Sequence, residues 1–583
     1  MDYKTLVLTY SLLEQTSKRL EKTHVISKLL HRTPQGDISM ICLLLRGSVF
    51  PNISEAKLGV SDKLVIKALM VASGHTSQSI NKLWKQTGDL GDVAAKLAGS
   101  KKQRTLFSRK LKVNKVFENL RKLPTLTGPG SIDQKVQLVA ELLGSASPME
   151  SKYIIRTVIG ELRVGVAEGT LRDAIVWAFL KPPIKYNEDS QKLDVKDRKE
   201  YNELVALTQK AYDIMNDFGA VAEIAKSKGV KGFGKLSLGL GTPLKSMLAQ
   251  KAEDIEEAFS IVGKPACFEY KYDGFRIQVH KKGKDIALFT RRLENVTKAF
   301  PDIVKAVRAN VKGTEVILDG EAVGYDPKTK RYLPFQTVSQ RIKRKHGVEE
   351  MAKKFPVEYV IFDVLMYKGD SMLNEPLEKR REIAKSLTKS QKYVVTLSDQ
   401  LITSSVKEAR AFFKKAIHEG NEGLMAKALD APYKPGSRVG TWIKIKGSLD
   451  PLDLVIVDAE WGEGKRSGWL TSFTLACRDH GKFVEVGKVG TGMKEKEDVG
   501  GVSFGTMTKK LKPLITEERG RKVRIKPKIV VEILSEEVQK SPTYSSGYAL
   551  RFPRVINLRL DKPASEAATL TRIKKQYEAQ KKT

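Results

Sequence analysis

Apolar residues recur at helical spacing from Tyr3 to about Phe218, as in Leu12, Leu13, Leu20, Ile26, Leu29 and Leu30, with polar residues between them. That period predicts a mostly helical first third. Between Ser227 and Gly241 the run SKGVKGFGKLSLGLG has no periodicity and many residues that permit unusual backbone angles, so a domain boundary is expected there. After it the period falls to two. Phe275, Ile277 and Val279 alternate with Arg276, Gln278 and His280, and short β-rich runs return at VILDGEAV, VEYVIFDVLMY and TWIKIK. The middle third is therefore expected to be α+β. A second boundary is expected at Gly447-Ser448-Leu449-Asp450-Pro451, where Gly and Pro interrupt strand-like runs. Beyond it LDLVIVDAEWG, SFTLACRD, FVEVGKVG and KIVVEILSEEV predict the short strands of a small β-barrel, followed by a helical tail from Ala564.

The expected parts are thus a helical domain over 1–225, an α+β domain over 240–447 and a barrel over 448–583. A length of 583 residues agrees with several domains, since one core seldom serves more than about 150 to 200 residues. With 41% hydrophobic residues the chain can bury several cores, which excludes a disordered protein.

Charge narrows the function. Lys and Arg outnumber Asp and Glu by 103 to 68, a formal net charge of +35, which repels itself unless a polyanion compensates, and nucleic acid is the expected one. A heat-adapted surface would raise Lys and Glu together instead. The runs Lys101-Lys102-Gln103-Arg104 and Lys110 to Lys122 could grip phosphates or be solvated helix faces, and composition does not separate the two. Cys42, Cys267 and Cys477 are odd in number and too scattered for a disulfide framework or a zinc module, which fits a reducing, cytoplasmic setting. Met1 to Leu13 lacks a basic start followed by a long apolar core, and no apolar run approaches the roughly 20 residues a bilayer needs, so no membrane partner is expected.

The chemistry centres on Glu269-Tyr270-Lys271-Tyr272-Asp273-Gly274-Phe275-Arg276, a lysine at a strand end followed by a glycine and an arginine. This looks like the nucleotidyltransferase nucleophile motif KxDGxR. A lysine attacks only as the neutral amine, so its ordinary pKa of about 10.4 must be lowered by nearby cations or desolvation. Arg276, Lys444 and Lys446 are candidates for that pressure. Alone, KxDG is a short pattern that also describes a hairpin turn. It is followed in order by Phe289-Thr290-Arg291-Arg292-Leu293-Glu294-Asn295, Leu318-Asp319-Gly320-Glu321, Val360-Ile361-Phe362-Asp363, Glu422-Gly423-Leu424-Met425-Ala426-Lys427 and Trp442-Ile443-Lys444-Ile445-Lys446. Six ordered matches are not chance.

Together these resemble the motif series of ATP-dependent DNA ligases of the archaeal and eukaryotic replicative type, and the resemblance extends over essentially the whole chain. The helical third contains Leu162-Arg163-Val164-Gly165-Val166-Ala167-Glu168-Gly169-Thr170, similar to the family's DNA-binding signature. The last third ends in Leu550-Arg551-Phe552-Pro553-Arg554 and Arg559-Leu560-Asp561-Lys562, similar to its final motif. The implied fold is an all-α N-terminal DNA-binding domain, an α+β adenylation domain and a C-terminal oligonucleotide-binding (OB) barrel.

The resemblance implies that Lys271 attacks the α-phosphorus of ATP and carries AMP to the 5′-phosphate of nicked double-stranded DNA. Glu269 would read the adenine amine, Phe362 would stack on the base, and Arg276, Arg291, Arg438, Glu321, Lys444 and Lys446 would complete the nucleotide site. Glu321 and Glu422, on separate strands, would hold magnesium, with manganese as an alternative. Lys444 and Lys446 would project from one strand face. Arg551, Arg554 and Lys562 lie in the barrel and would reach the triphosphate only by closure about a hinge at Gly447 to Pro451. Arg163, Gly165 and Gly169 would serve DNA binding. Gln103-Arg104-Thr105-Leu106-Phe107 resembles the short sliding-clamp peptide of archaeal ligases, with Gln103, Leu106 and Phe107 as its anchors. A monomer is expected. The sequence departs from the pattern at Gly447-Ser448-Leu449-Asp450 and at Arg292, where many eukaryotic relatives carry asparagine.

The same lysine chemistry serves capping guanylyltransferases and RNA ligases, but those lack the large helical third. A zinc module, as in NAD-dependent ligases, is impossible with three scattered cysteines. A non-catalytic scaffold would have lost at least one of Lys271, Glu321, Glu422, Lys444 and Lys446, and all are present.

Overall fold

The computed structural model describes the chain except residues 52, 55, 101–109, 235, 334, 343–346, 447–448, 496–500 and 583. The clamp-peptide anchors Gln103, Leu106 and Phe107, and the first two hinge residues, lie outside the described residues. Two compact units emerge, one of residues 1–75, 94–416 and 421–445, the other of 76–93, 417–420 and 446–583.

The first unit begins with helices from Tyr3–Gln15 to Phe218–Phe233. Leu13, Ile26, Leu29 and Leu30 are buried as their spacing demands, whereas Leu12 and Leu20 are exposed. Local signals set several starts. Ser147-Pro148-Met149-Glu150 forms a reciprocal cap on Pro148–Val158, with proline where its missing N–H costs nothing. Two differences from the expected pattern arise. Ile184–Asn187 and Lys192–Val195 form a small antiparallel hairpin inside the helical third. The Gly-rich run after Ser227 is helical as far as Phe233, broken at Gly229, whose φ of 57° only glycine adopts cheaply. Burial of Phe233 outweighs the weak helix propensity of its glycine neighbours.

The centre of the first unit contains two sheets. One has the order Val395–Leu397, Val357–Tyr367, Glu315–Gly324, Phe275–Lys282 and Asp285–Thr290, antiparallel but for its first pair. The other has the order Gln400–Thr403, Ala266–Lys271, Gly423–Ala428, Arg438–Lys446 and Leu248–Ala252. Ile277, Val279, Leu318 and Ile361 build the core of the first sheet, and Phe268, Leu424, Ala426 and Ile443 that of the second.

The polar partners in the Phe275–Lys282 alternation do not face solvent. Gln278 and His280 are buried, and they satisfy the backbone of the incoming segment: Leu244 N–H donates to Gln278 Oε1 at 2.8 Å and Gly241 N–H to His280 Nδ1 at 3.1 Å. Burial keeps His280 neutral by lowering its pKa to about 3.

The second unit is rich in strands. Leu452–Trp461 pairs with Leu470–Asp479 along one edge, and along the other with Val530–Leu534 at its start and Lys522–Ile525 at its end. One strand shared between two partners lets the sheet fold over Leu454, Ile456, Phe473, Leu475, Val531 and Ile533, as a barrel requires. The expected tail is helical from Leu570 to Lys582, preceded by a short turn at Ala564–Glu566. Among the described residues no helix is long and apolar enough to cross a membrane.

Candidate active site

Lys271 ends one central sheet and Phe275 begins the other, so the KxDG turn is the crossing between them. A Cβ at Gly274 would lie 2.7 Å from the Ala322 carbonyl oxygen, and one at Gly320 would lie 2.6 Å from that of Val360. Both glycines of the two DG pairs therefore permit backbone to pass close by.

Register places Glu422 beside Lys271. Gly423 pairs with Lys271, and Glu422 N–H donates to the Lys271 carbonyl at 2.8 Å. The Lys271 ammonium then lies 2.5 Å from Glu422 Oε2. Glu422 was expected on a strand and instead stands one residue before Gly423–Ala428, where the chain is still turning after Gly420. Glu321 is on its strand, opposite Arg276. Burial pushes the Glu321 carboxyl up to about 8, against the pull of Lys271 and Arg276 and with a further push from Glu422 and Asp319.

Arg276 is locked rather than free. Its Nε and Nη2 donate to the Asp319 carboxylate at 3.1 and 2.7 Å, and Nη1 donates to the Met247 carbonyl at 2.8 Å. Tyr433 closes the network, its hydroxyl donating to Asp319 at 2.8 Å and accepting from Met247 N–H at 3.0 Å. The guanidinium lies 5.2 Å from the centre of the Phe362 ring. Arg291 is near enough to Arg276 and Arg438 that burial and these two cations lower its pKa. Three guanidinium groups and one lysine thus gather beside Asp319, Glu321 and Glu422, a concentration of donors that suits a polyphosphate.

Glu269 shares a strand face with Lys271 and is fully buried against Lys427. Lys444 is half-buried on Arg438–Lys446. Lys446, expected to point with Lys444 at the nucleotide, falls with the second unit and pairs with Glu536 at 2.8 Å. In that unit Arg551 pairs with Glu537 at 2.9 Å, Lys562 pairs with Asp453 at 2.6 Å, and Arg554 is exposed.

In the helical part, Arg163 pairs with Glu161 and takes a positive φ of 59°, and Gly165 follows with φ 65°. The buried Lys22 ammonium donates to the carbonyls of Val164 and Gly165, and a Cβ on Gly165 would lie 2.5 Å from it. Gly169 stands in the first turn of Glu168–Phe179, close to the Arg19 guanidinium. The signature is therefore a tightly folded loop.

Sequence reasoning missed Asp319, Tyr433, the Met247 backbone and Lys427 as members of the site. Lys427 left one signal, a charge in the otherwise apolar strand GLMAKA. Tyr433 left none, because its partners are up to 186 residues away in sequence.

The raised Glu321 pKa sets a pH dependence of stability. Between its ordinary value of 4.5 and about 8 the folded protein holds a proton that the unfolded chain has released, so this group's contribution is complete below 4.5 and declines as pH rises to about 8. Thermal unfolding in a chelator should show the parent losing stability relative to Glu321→Gln from pH 5 to pH 8. Parallel curves would contradict the buried carboxyl.

Helical head, two-sheet centre and strand-rich tail, with a lysine and arginines gathered at the sheet crossing, define a nucleotide-dependent ligase. Family models match part by part: a DNA ligase N terminus over residues 2–176, an ATP dependent DNA ligase domain over 246–446 and an ATP dependent DNA ligase C terminal region over 466–562. The chain belongs to the ATP-dependent DNA ligase family. Among its relatives, the DNA ligase of Nanoarchaeum equitans is 44% identical, with 100% of this chain and 99% of that protein covered. That of Thermococcus onnurineus is 42% identical over the same shares. A solved structure described as Pmar-Lig_PreS3 shares the fold, with a TM-score of 0.57 and 18% identity over 95% of this chain and 99% of its own.

Proposed function

We propose that the protein seals nicks in double-stranded DNA, using ATP and carrying AMP on Lys271. The observation that supports this most is the placement of a lysine at the sheet crossing among Arg276, Arg291 and Arg438, with one carboxylate against its ammonium. Lys271 gives up its proton, its Nζ lone pair bonds to the α-phosphorus of ATP, and the bond to the β-phosphate oxygen breaks to release pyrophosphate. A 5′-phosphate oxygen at the nick then attacks the same phosphorus, breaking the P–N bond and restoring the lysine. Finally the 3′-hydroxyl attacks the 5′-phosphorus, AMP leaves, and the phosphodiester is closed.

In this reading Glu269 faces the adenine amine, Phe362 stacks on the base, and the arginines and Lys444 hold phosphate and sugar. Arg551, Arg554, Lys562 and Lys446 would serve the triphosphate when the second unit turns over it. Arg163, Gly165 and Gly169 would present backbone and charge to duplex phosphates.

Glu321 and Glu422 fit a divalent cation. They are two hard carboxylates near Lys271, and burial makes one of them costly as an anion despite the nearby Lys271 and Arg276. Two protein carboxylates suffice for magnesium, since it retains waters and phosphate oxygens. Such an ion would neutralise charge on the phosphates.

The test is to mix the protein with α-labelled ATP and magnesium, then add a nicked duplex. Label should appear first on protein, then on the 5′-phosphate, and finally as free AMP with a sealed strand. Sealing without protein labelling would overturn the proposal.

A further inference from the structure

A second charged pair joins Ala266–Lys271 and Gly423–Ala428, the two strands whose register also brings Glu422 to Lys271. Lys427 Nζ donates to Glu269 Oε2 at 2.6 Å, and each side chain is 2% exposed. Oε1 of Glu269 lies 3.9 Å from the Cys267 sulfur and 4.0 Å from Arg381 Nη1. Arg381 is otherwise engaged by the Ile361 carbonyl and Ser398. The Lys427 ammonium lies 4.3 Å from the centre of the Trp442 ring and 4.9 Å from that of Phe362. Apolar residues such as Phe268 and Leu424, which build the core of this sheet, would fill such a position more cheaply than an ion pair, because two charges must leave water.

We propose that Lys427 is a positioning residue that sets nucleobase specificity. The inference rests on the reading of Glu269 as the group facing the base edge. The ammonium engages one carboxylate oxygen of Glu269 and fixes the group in place, its oxygens offered as hydrogen-bond acceptors. Adenine presents an amino donor at its six-position, whereas guanine presents a carbonyl acceptor, so a fixed carboxylate pairs with the first and repels the second. Without the Lys427 charge the Glu269 carboxyl group loses the ionic partner, at 2.6 Å, that fixes its orientation. A carboxyl group no longer fixed against the base edge discriminates less sharply between an amino donor and a guanine carbonyl. Lys427 thereby selects adenine without touching it, and its place beneath the Phe362 ring strengthens the cationic side of the base site.

The full-length protein is assayed for self-labelling with α-labelled ATP and α-labelled GTP in magnesium, and kcat/KM is measured for each. The parent should prefer ATP. Lys427→Met should lower the ATP-to-GTP ratio at least about tenfold, the size expected when a polar group that reads a base loses its definition. Most of that loss should appear in KM for ATP, and Lys427→Arg, which keeps the charge, should restore the preference. If Lys427→Met does not fold, Lys427→Gln, which keeps a donor but no charge, must show the same fall. A ratio unchanged within twofold in a folded Met or Gln variant overturns the proposal, as does a parent without preference. Glu269→Gln separates the two readings. If it changes the ratio while the Lys427 variants do not, only the role of Lys427 falls; if it too leaves the ratio unchanged, the reading of Glu269 falls.

Discussion

Lys271→Ala should abolish covalent labelling by α-labelled ATP, and with it nick sealing from ATP, by at least about a thousandfold, because the group that splits the exchange into two displacements is gone. The arginines that gather phosphate remain, so ATP should still bind. The variant should also stay folded: the Lys271 ammonium is partly exposed, and alanine removes only its pairing with Glu422. A nick already carrying AMP on its 5′-phosphate bypasses the lysine, so sealing of that substrate should survive far better than sealing from ATP. Gel detection of the labelled protein, beside ligation of both substrates, decides the matter. Undiminished labelling in the variant would move the nucleophile elsewhere.

The second large effect concerns stability. Asp363 and Arg380 are both fully buried and meet through two parallel hydrogen bonds of 2.7 and 3.0 Å. Arg380 also donates to the carbonyls of Glu375 and Ala431, and Asp363 accepts from the Val364 N–H. The pair fastens Val357–Tyr367, the strand that carries Phe362, to the helix Leu377–Leu387. Asp363→Ala leaves a guanidinium without its anion in a place water does not reach, at a cost of about 3–5 kcal/mol. Denaturant unfolding should show a midpoint lowered accordingly, with Asp363→Asn less affected because it still accepts from Arg380. A loss under about 1 kcal/mol would mean that the pair is solvated in the folded protein.

Much of the site is legible in the sequence. The lysine motif and its five companions are local patterns, and local patterns dictate local geometry: strand ends, close-packing glycines, alternating faces. The partners of those motif residues were harder to read. Arg276 is aimed by Asp319, which stands in a quoted motif, but also by Tyr433 and by the backbone of Met247, which stand in none. Gln278 and His280 look like the solvent side of a strand and are instead the buried acceptors for Leu244 and Gly241.

By itself the sequence determined the order of helical, mixed and strand-rich parts, the identity of the chemical residues and the demand for a polyanionic partner, because periodicity, residue type and net charge are properties of the chain itself. Only the tertiary structure decided that Glu422 meets Lys271, that Glu269 is matched by Lys427 and that Glu321 is buried enough to keep a proton. Those facts depend on strand register and on exclusion of water, and both are set by segments far apart along the chain.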